Sequence, residues 1–337
     1  MTSLERVKAV FKKDIPDIRP VMPEVFGVAA RLNGYTIYKY VTDEKVLAES
    51  QIRTQREMGY DVLFAFADLL VEAEAIGCRL KYDEDAYPYI VEPVLRNLDM
   101  VGELKLPDPE RDGRMPVVIQ ATRLLREYAG DKCLITSCVV GPVTIAAHLI
   151  GLENFLYSLV DQPERVNILL DYTEMVMKIY GEELLKAGAH CLIVFDPVSS
   201  PDVVPSSYFL NLESGRLKRA FDYFSSLGSL IPWISIAGPT QRIIPYYKLS
   251  GIGLATIDYE VSLREAFSLC NGIVLNGNLK PYDFVSNAPE EIKEKTEACI
   301  FEASGKKNFI IGTGCEIPIE AKADNIVTFV KTAKGYK

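Results

Sequence analysis

The sequence lacks several features that mark particular classes of protein. No apolar run approaches the roughly twenty residues that a membrane-spanning helix needs, so we expect no contact with a membrane. No cluster of Lys and Arg occurs, which argues against a nucleic-acid site. The Cys-x-x-Cys pair of a zinc knuckle and the Gly-x-Gly-x-x-Gly turn of a dinucleotide-binding sheet are also missing.

The composition that remains is typical of a globular protein that acts on small molecules or on another protein. The 337 residues are 48% hydrophobic and 25% charged, and the formal charge is −9. Seven cysteines are an odd number without paired spacing, which favours reduced thiols over a disulfide framework. Residues 1–7 contain no apolar signal core, and we therefore expect a cytoplasmic protein.

Buried strands and amphipathic helices alternate about eight times, without a hydrophilic linker. An irregular first strand is predicted near 19–27, and the others at 61–68, 133–142, 191–197, 231–236, 253–257, 273–275 and from 308 onward. This order predicts an α/β protein with a closed (β/α)8 TIM barrel. We expect a single domain over 1–337, with a short N-terminal helical extension and an insertion around 78–113.

Polar residues follow these strands, at the end where a parallel barrel carries its chemistry. The clearest case is the stretch 308–318, in which an apolar strand ends in small residues and then presents Cys315 and Glu316 side by side. A packed thiol is the alternative interpretation of a lone cysteine. The complete set of strand-end residues is Glu24, Asp68, Ser137, Asp196, Ser235, Asp258, Asn278, Cys315 and Glu316.

Four stretches of the chain, 59–77, 195–201, 277–281 and the Gly-Cys-Glu-Ile-Pro turn at 314–318, resemble the uroporphyrinogen decarboxylase superfamily. The chain is most similar to its corrinoid-dependent methyltransferase branch. That branch includes methylcobalamin:coenzyme M methyltransferases and the methyltransferase components of O-demethylase systems. The resemblance covers nearly the whole chain and implies a (β/α)8 barrel, in agreement with the strand count.

The decarboxylase alternative can be compared with individual residues. The resemblance implies an aspartate beneath the pyrrole nitrogens, which Asp68 matches, and an arginine-rich loop that holds the acetates and propionates of a tetrapyrrole. Only Arg31 falls near that loop, and Cys315 replaces the histidine of the C-terminal turn. Because buried carboxylates without cationic partners are costly, this comparison favours the methyltransferase branch.

In the methyltransferase branch, the resemblance implies a zinc ion that activates a thiol through a His-x-Cys pair and a cysteine of the C-terminal turn. Cys315 matches the last ligand, but the pair aligns with Ser235 and Ala237. Zinc is therefore retained as a hypothesis with Cys315 and Glu316 as candidate ligands, and oxygen ligands could come from Asp196, Asp258 or Glu24. Acid–base chemistry without a metal is the alternative, and either would suit a methyl ether or a methylamine as methyl donor.

The leading hypothesis is a corrinoid-dependent methyltransferase that moves a methyl group between a small molecule and the cobalamin of a separate corrinoid protein. No Asp-x-His-x-x-Gly stretch for cobalamin occurs in this chain, so the corrinoid is expected from a partner. The alternatives are a uroporphyrinogen decarboxylase and a non-catalytic binding barrel. The predicted catalytic residues are Asp68, Asp196, Asp258 and Glu24, and the predicted substrate-binding residues are Ser137, Ser235, Asn278 and Arg31.

The ligand hypothesis leads to a test with two cysteine variants. If Cys315 holds a divalent metal, Cys315→Ala should remove both the metal and the activity, since the thiolate is the one soft ligand of the proposed set. Cys191→Ala should change neither, because Cys191 opens a strand and is predicted at the opposite end of the barrel. Metal analysis and a methyl-transfer assay of both purified variants provide the measurement.

Overall fold

The chain forms one curled parallel sheet surrounded by helices, in a computed structural model that describes residues 1–270 and 272–336. The strands are β1 (Val62–Ala65), β2 (Arg79–Asp83), β3 (Ala86–Glu92), β4 (Leu134–Val140), β5 (Cys191–Phe195), β6 (Pro232–Ser235), β7 (Leu254–Thr256), β8 (Val274–Leu279) and β9 (Phe309–Thr313). The parallel sheet has the order β1-β4-β5-β6-β7-β8-β9. Strand and helix alternate as predicted, and the TIM-barrel-like α/β fold is confirmed.

The eighth position of the barrel is filled by an irregular segment, Pro20–Glu24, between β9 and β1. It makes isolated parallel bridges, Val21 to Ile311 and Glu24 to Glu316, and the Asp61 amide donates to the Val21 carbonyl at 2.8 Å. Pro20 and Pro23 have no N–H to donate to a neighbouring strand, which explains why this segment does not form a regular ladder.

The helices lie between the strands in sequence and cover the outside of the sheet. They are α1 (Ser3–Phe11), α2 (Gly27–Leu32), α3 (Ile37–Thr42), α4 (Glu44–Met58), α5 (Val71–Ile76), α6 (Met115–Ala129), α7 (Pro142–Ile150), α8 (Leu152–Asp161), α9 (Pro163–Lys186), α10 (Ser206–Tyr208), α11 (Ser214–Ser226), α12 (Leu263–Leu269), α13 (Asp283–Ser286), α14 (Pro289–Glu302) and α15 (Ala323–Gly335). Two short 3-10 turns, Thr240–Arg242 and Ile244–Tyr246, stand between β6 and β7 in place of a continuous helix, because Pro245 cannot donate the hydrogen bond that such a helix requires. The segment Phe209–Glu213 forms a π-helical turn that leads into α11.

The predicted insertion around 78–113 contains an antiparallel hairpin, β2–β3, that the charged and turn-rich sequence did not reveal. The hairpin reaches back to the barrel, where the Tyr87 hydroxyl accepts a hydrogen bond from the Gly27 amide at 2.8 Å. A Cβ atom at Gly27 would lie 2.5 Å from this hydroxyl oxygen, so only glycine permits the contact. The predicted single domain over 1–337 includes positions 271 and 337, which lie outside the described residues.

Aromatic side chains fill the barrel below its C-terminal end. Phe26 packs edge-on against Phe64, Phe66 and Phe195 with ring centroids 4.9, 4.8 and 5.7 Å apart, and Trp233 lies beneath Phe64. Such packing fixes the rings relative to one another. Among the described helices, no single one is long and apolar enough to cross a membrane; Pro142–Ile150 and Leu152–Asp161 meet the limits only as a pair bent by 107°.

Asp61 ties both ends of the chain to the start of β1. Its fully buried carboxylate accepts hydrogen bonds from Ser3 Oγ at 2.7 Å, Arg6 Nη1 at 3.2 Å, the Val21 amide at 2.9 Å and Lys334 Nζ at 3.3 Å. Both lone-pair regions of the carboxylate are therefore used, and the two cations balance its charge. This one side chain holds α1, α15 and the irregular Pro20–Glu24 segment together.

We expect Asp61→Ala to lower the free energy of unfolding by about 2–4 kcal/mol, since it leaves Arg6, Lys334 and a buried amide without their acceptor. Chemical denaturation provides the measurement. Asp222→Ala is the matched control: it removes an exposed carboxylate that pairs with Lys218 four residues earlier, and such surface pairs contribute little. Equal loss of stability in the two variants would contradict the anchoring role.

Candidate active site

Two adjacent chambers open at the C-terminal ends of the barrel strands. The inner chamber has a volume of about 80 Å³ and is lined by Glu24, Phe26, Phe66, Leu69, Phe195, Pro197, Ser235, Ala237, Cys315 and Glu316. The outer chamber, of about 370 Å³, is lined by Phe66, Asp68, Leu69, Leu70, Tyr87, Pro88, Tyr89, Ile90, His148 and Glu316. Phe66, Leu69 and Glu316 belong to both walls, so the two chambers lie side by side.

Glu24 lies fully buried in the wall of the inner chamber. Its Oε1 atom accepts hydrogen bonds from Thr256 Oγ1 at 3.0 Å and from Ser235 Oγ at 3.3 Å. Its Oε2 atom has no hydrogen-bond partner within the described residues. Burial raises the pKa of Glu24 to about 8, and the two hydroxyl donors oppose this shift only in part. Glu24 is therefore a neutral carboxyl at pH 7, with one oxygen free to hold a proton.

Cys315 and Glu316 meet Glu24 across the inner chamber, in the turn that follows β9. Burial and the nearby Glu24 raise the pKa of the Cys315 thiol, so the thiol stays protonated at neutral pH. Burial likewise raises the pKa of Glu316 to about 7, while a hydrogen bond from the Tyr87 hydroxyl at 2.6 Å favours its ionised form. The prediction that the C-terminal turn faces a pocket is consistent with this placement, and three of the predicted residues come together here.

Asp68 lies in the wall of the outer chamber, where it forms an ion pair with Arg114. The Arg114 guanidinium also donates to Glu74 Oε2 at 2.6 Å and stacks 5.2 Å from the Tyr82 ring. Sequence analysis missed Arg114, because it lies at the start of α6, 46 positions away from Asp68. Its charge is matched by two carboxylates and is directed away from the chambers.

His148, on the apolar helix α7, also lines the outer chamber. Its Nδ1 atom is buried without a hydrogen-bond partner within residues 1–270 and 272–336. Burial lowers the pKa of His148 to about 4, so the imidazole is neutral at pH 7 and can accept or donate one hydrogen bond. The sequence feature that could have indicated a place in the chamber wall is the position of His148 on α7, the helix that directly follows β4.

Two carboxylates that were predicted to be catalytic accept hydrogen bonds from backbone amides and do not line the chambers. Asp196 accepts hydrogen bonds from the Thr144 amide at 2.8 Å and the Val143 amide at 3.3 Å, at the start of α7. Asp258 accepts from the Gly238 amide at 2.9 Å and from the Glu260 amide at 2.9 Å. Neither residue lines the two chambers, so this geometry does not support a catalytic role for them. A strand-end position alone does not determine where the side chain points.

Three residues that were predicted to bind the substrate also lie outside the walls of both chambers. Ser137 is buried against α6, where its hydroxyl lies 2.8 Å from that of Thr122. The Asn278 amide donates to the carbonyls of Asp258 and Val261 at 3.1 and 2.7 Å and thereby fixes the loop after β7.

Arg31 forms an exposed ion pair with Asp85 of the hairpin, with N and O 2.6 Å apart. Only Ser235 of the four predicted substrate-binding residues lines a chamber.

The residues of the inner chamber do not form the expected zinc site. Ser235 and Ala237, which stand where the branch has its His-x-Cys pair, both face the chamber beside Cys315. Within the described residues, no group of three or more His, Cys, Asp and Glu side chains converges as metal ligands. Glu24 also lines this chamber, but it does not converge with Cys315 and Glu316 on one point, so zinc would lack the three protein ligands that it usually has. The donor set therefore does not fit this metal.

The comparison with known families extends over nearly the whole chain. The family described as uroporphyrinogen decarboxylase (URO-D) matches residues 2–336. The chain belongs to this family. The predicted superfamily membership is confirmed.

Methyltransferases and decarboxylases of the uroporphyrinogen decarboxylase family are both similar in sequence to this chain. A methylated-thiol–coenzyme M methyltransferase of Methanosarcina mazei is 26% identical over 87% of this chain and 77% of its own length. The methylcobamide:CoM methyltransferase MtbA of Methanosarcina acetivorans is 24% identical over 83% and 81%. A uroporphyrinogen decarboxylase of an Anaeromyxobacter species is also 24% identical, over 78% and 77%. These likenesses agree with the prediction of a methyltransferase enzyme and with its corrinoid context.

A solved structure confirms the fold of this family member. The structure of a methyltransferase from Methanosarcina mazei superposes with a TM-score of 0.89 at 21% identity, over 99% of this chain and 98% of the other. A B12-independent methionine synthase from a Shewanella species reaches a TM-score of 0.59 at 13% identity, over 83% and 84%. The barrel architecture is thus shared with enzymes whose sequences have diverged widely.

The neutral state of Glu24 gives a pH-dependent prediction. Its pKa rises from 4.5 to about 8 on folding, so the stability it contributes is complete below pH 4.5 and is lost as pH rises toward 8. Glu24→Gln keeps the acceptor for Ser235 and Thr256 but cannot ionise. Relative to this variant, the wild type should lose stability between about pH 5 and 8, with a slope of up to about 1.4 kcal/mol per pH unit.

Denaturant titrations across this pH range measure the difference. Other buried acids titrate in both proteins, and their effects cancel in the comparison. Glu260→Gln is the control, because this exposed carboxyl is hydrated before and after unfolding, and its curve should run parallel to that of the wild type. A Glu24→Gln curve that also runs parallel would show that Glu24 is not a buried neutral acid.

Proposed function

We propose that this protein is a corrinoid-dependent methyltransferase whose small-molecule substrate is neutral or cationic. The observation that carries the proposal is the charge of the two chambers. Of the described residues, no Lys or Arg lines either chamber, whereas Asp68, Glu24 and Glu316 all do. A tetrapyrrole with several carboxylates would be buried without cationic partners, at a cost of several kcal/mol for each charge. The same argument disfavours a small sulfonate or carboxylate as the bound methyl donor or acceptor.

The proposed role of Glu24 is that of a general acid. A methyl ether or methylamine releases an oxygen or nitrogen leaving group, which needs a proton as its bond to the methyl carbon breaks. The neutral Glu24 carboxyl can supply this proton in the forward direction and can recover it when the reaction runs backward. Thr256 and Ser235 fix the carboxyl through Oε1, which leaves Oε2 as the oxygen that is available to hold the proton.

The remaining chamber residues bind, orient and exclude water. Phe26, Phe66 and Phe195 provide an apolar floor, which strengthens hydrogen bonds made above it. The Tyr87 hydroxyl holds Glu316 in place through a hydrogen bond. In the outer chamber, the imidazole of His148 is the proposed hydrogen-bonding partner of a polar group of the substrate, because its Nδ1 atom has no partner within the described residues. When a corrinoid protein is bound, its cobalt provides the chemistry of accepting or returning the methyl group. The methyltransferase relatives support such a partner.

A methyl-transfer assay tests the proposal. The protein, a reduced corrinoid protein and a series of methyl ethers and methylamines are mixed, and the absorbance spectrum of the corrinoid is followed. We expect transfer from at least one neutral or cationic donor. Glu24→Gln should lower the rate by about a hundredfold or more, because the leaving group loses its proton donor. Cys191→Ala is the matched control and should keep the wild-type rate, since Cys191 is buried at the start of β5.

Three results would contradict the proposal at different points. Full activity of Glu24→Gln would show that Glu24 is not the general acid, but it would not contradict the proposed methyl transfer. Failure of every donor, together with turnover of uroporphyrinogen, would favour the decarboxylase alternative. Failure with all of these substrates would favour the non-catalytic binding barrel.

A further inference from the structure

A third concavity, distinct from the two chambers, lies at the opposite end of the barrel. It has a volume of about 360 Å³ and is lined by Val10, Asp14, Ile15, Pro16, Arg19, Pro20, Gly305, Lys306, Lys307, Phe309 and Tyr336. Phe309 is the first residue of β9, whereas Cys315 follows the last residue of that strand. A cavity of this size is typical of a small-molecule site, but nothing in the proposed methyl transfer uses it.

The walls of this concavity are positively charged, in contrast to the whole chain. Arg19, Lys306 and Lys307 contribute three cations, and Asp14 contributes the one carboxylate among the lining residues. The formal charge of the chain is −9, so this excess of cations is local. The sequence does not show it, because Arg19 and the two lysines are far apart in the chain and meet only when β9 packs beside the Pro20–Glu24 segment.

Arg19 is the most informative of the three cations. Its guanidinium is half-buried and lies over the Phe309 ring, 5.4 Å from the ring centroid. Burial lowers the pKa of Arg19, and no carboxylate offsets the cost in the part of the chain that the structure describes. The Phe309 ring stabilises one face of the guanidinium and leaves its N–H groups without a charged acceptor. An anion in the concavity would complete this interaction.

The rest of the wall is apolar and partly exposed. Ile15 is 75% exposed and Tyr336 is 40% exposed at the rim, while Val10, Pro16 and Phe309 form the inner surface. Ile15 and Tyr336 therefore offer apolar surface to a ligand at the rim. A ligand with both an apolar body and an anionic group would satisfy the two halves of the site together.

We propose that this concavity binds a small organic anion that has an apolar or aromatic body. The anionic group pairs with Arg19 and is attracted by Lys306 and Lys307, and the body packs against Ile15, Phe309 and Tyr336. The site is separate from the methyl-transfer chambers, whose described lining residues include no Lys or Arg to pair with the same ligand.

Cinnamate and its neutral amide, cinnamamide, are suitable probes because they differ only in charge. Isothermal titration calorimetry with the full chain should show that cinnamate binds more tightly than cinnamamide, and added NaCl should weaken the cinnamate signal. Arg19→Gln should weaken cinnamate binding by about tenfold or more, because a charged hydrogen bond is lost. Arg31→Gln, which removes an arginine paired with Asp85 elsewhere on the surface, is the matched control and should bind as the wild type does.

Ile15→Glu is a second test variant. We expect it to fold normally, because Ile15 is largely exposed. It places a carboxylate at the rim and removes an apolar contact, so it should weaken the binding of cinnamate more than that of cinnamamide. The proposal is overturned if cinnamate does not bind, if the acid and the amide bind equally, or if Arg19→Gln and Ile15→Glu leave the affinity for cinnamate unchanged.

Discussion

The contact between the Pro20–Glu24 segment and β9 is the interaction on which the site depends. Backbone hydrogen bonds join Met22 to Ile311 at 2.8 Å and Ile317 to Glu24 at 2.9 Å. Through them the segment occupies the eighth position of the barrel and places Glu24 opposite Cys315. A regular strand here would have continued the ladder, whereas the prolines leave isolated bridges and allow the segment to bend around the mouth. Closure of the barrel and assembly of the inner chamber are therefore the same structural event.

Charge is distributed in opposite ways at the two ends of the barrel. At the C-terminal end, the described residues of the chamber walls include carboxyl groups but no Lys or Arg, and burial keeps Glu24 neutral. The N-terminal end has an excess of cations around an apolar concavity. Because an ionised group buried without a partner is costly, each end favours a different kind of ligand. A neutral or cationic molecule suits the first end, and an anion suits the second.

Within the uroporphyrinogen decarboxylase family, this chain keeps the barrel but changes the groups that determine the chemistry. Ser235 and Ala237 occupy the positions that the resemblance assigns to a zinc-binding pair, and Ser235 instead donates a hydrogen bond to Glu24. This exchange replaces a proposed metal ligand with a group that orients a proton donor. This exchange is the basis of the acid–base chemistry that we propose for the chamber.

The sequence by itself determined the barrel, the family and the strand-end turn with Cys315 and Glu316, because apolar strands and Gly-rich turns are local patterns. It also indicated Glu24 and Ser235. It did not determine that Asp196, Asp258, Ser137 and Asn278 point away from the chambers, since side-chain direction follows from packing against neighbouring elements.

Only the tertiary structure placed the β2–β3 hairpin and His148 at the outer chamber, paired Arg114 with Asp68, and brought Arg19 beside Lys306 and Lys307. These contacts join residues far apart in the chain. A single sequence contains no local signal for them, because their energies arise from burial and charge in the folded barrel.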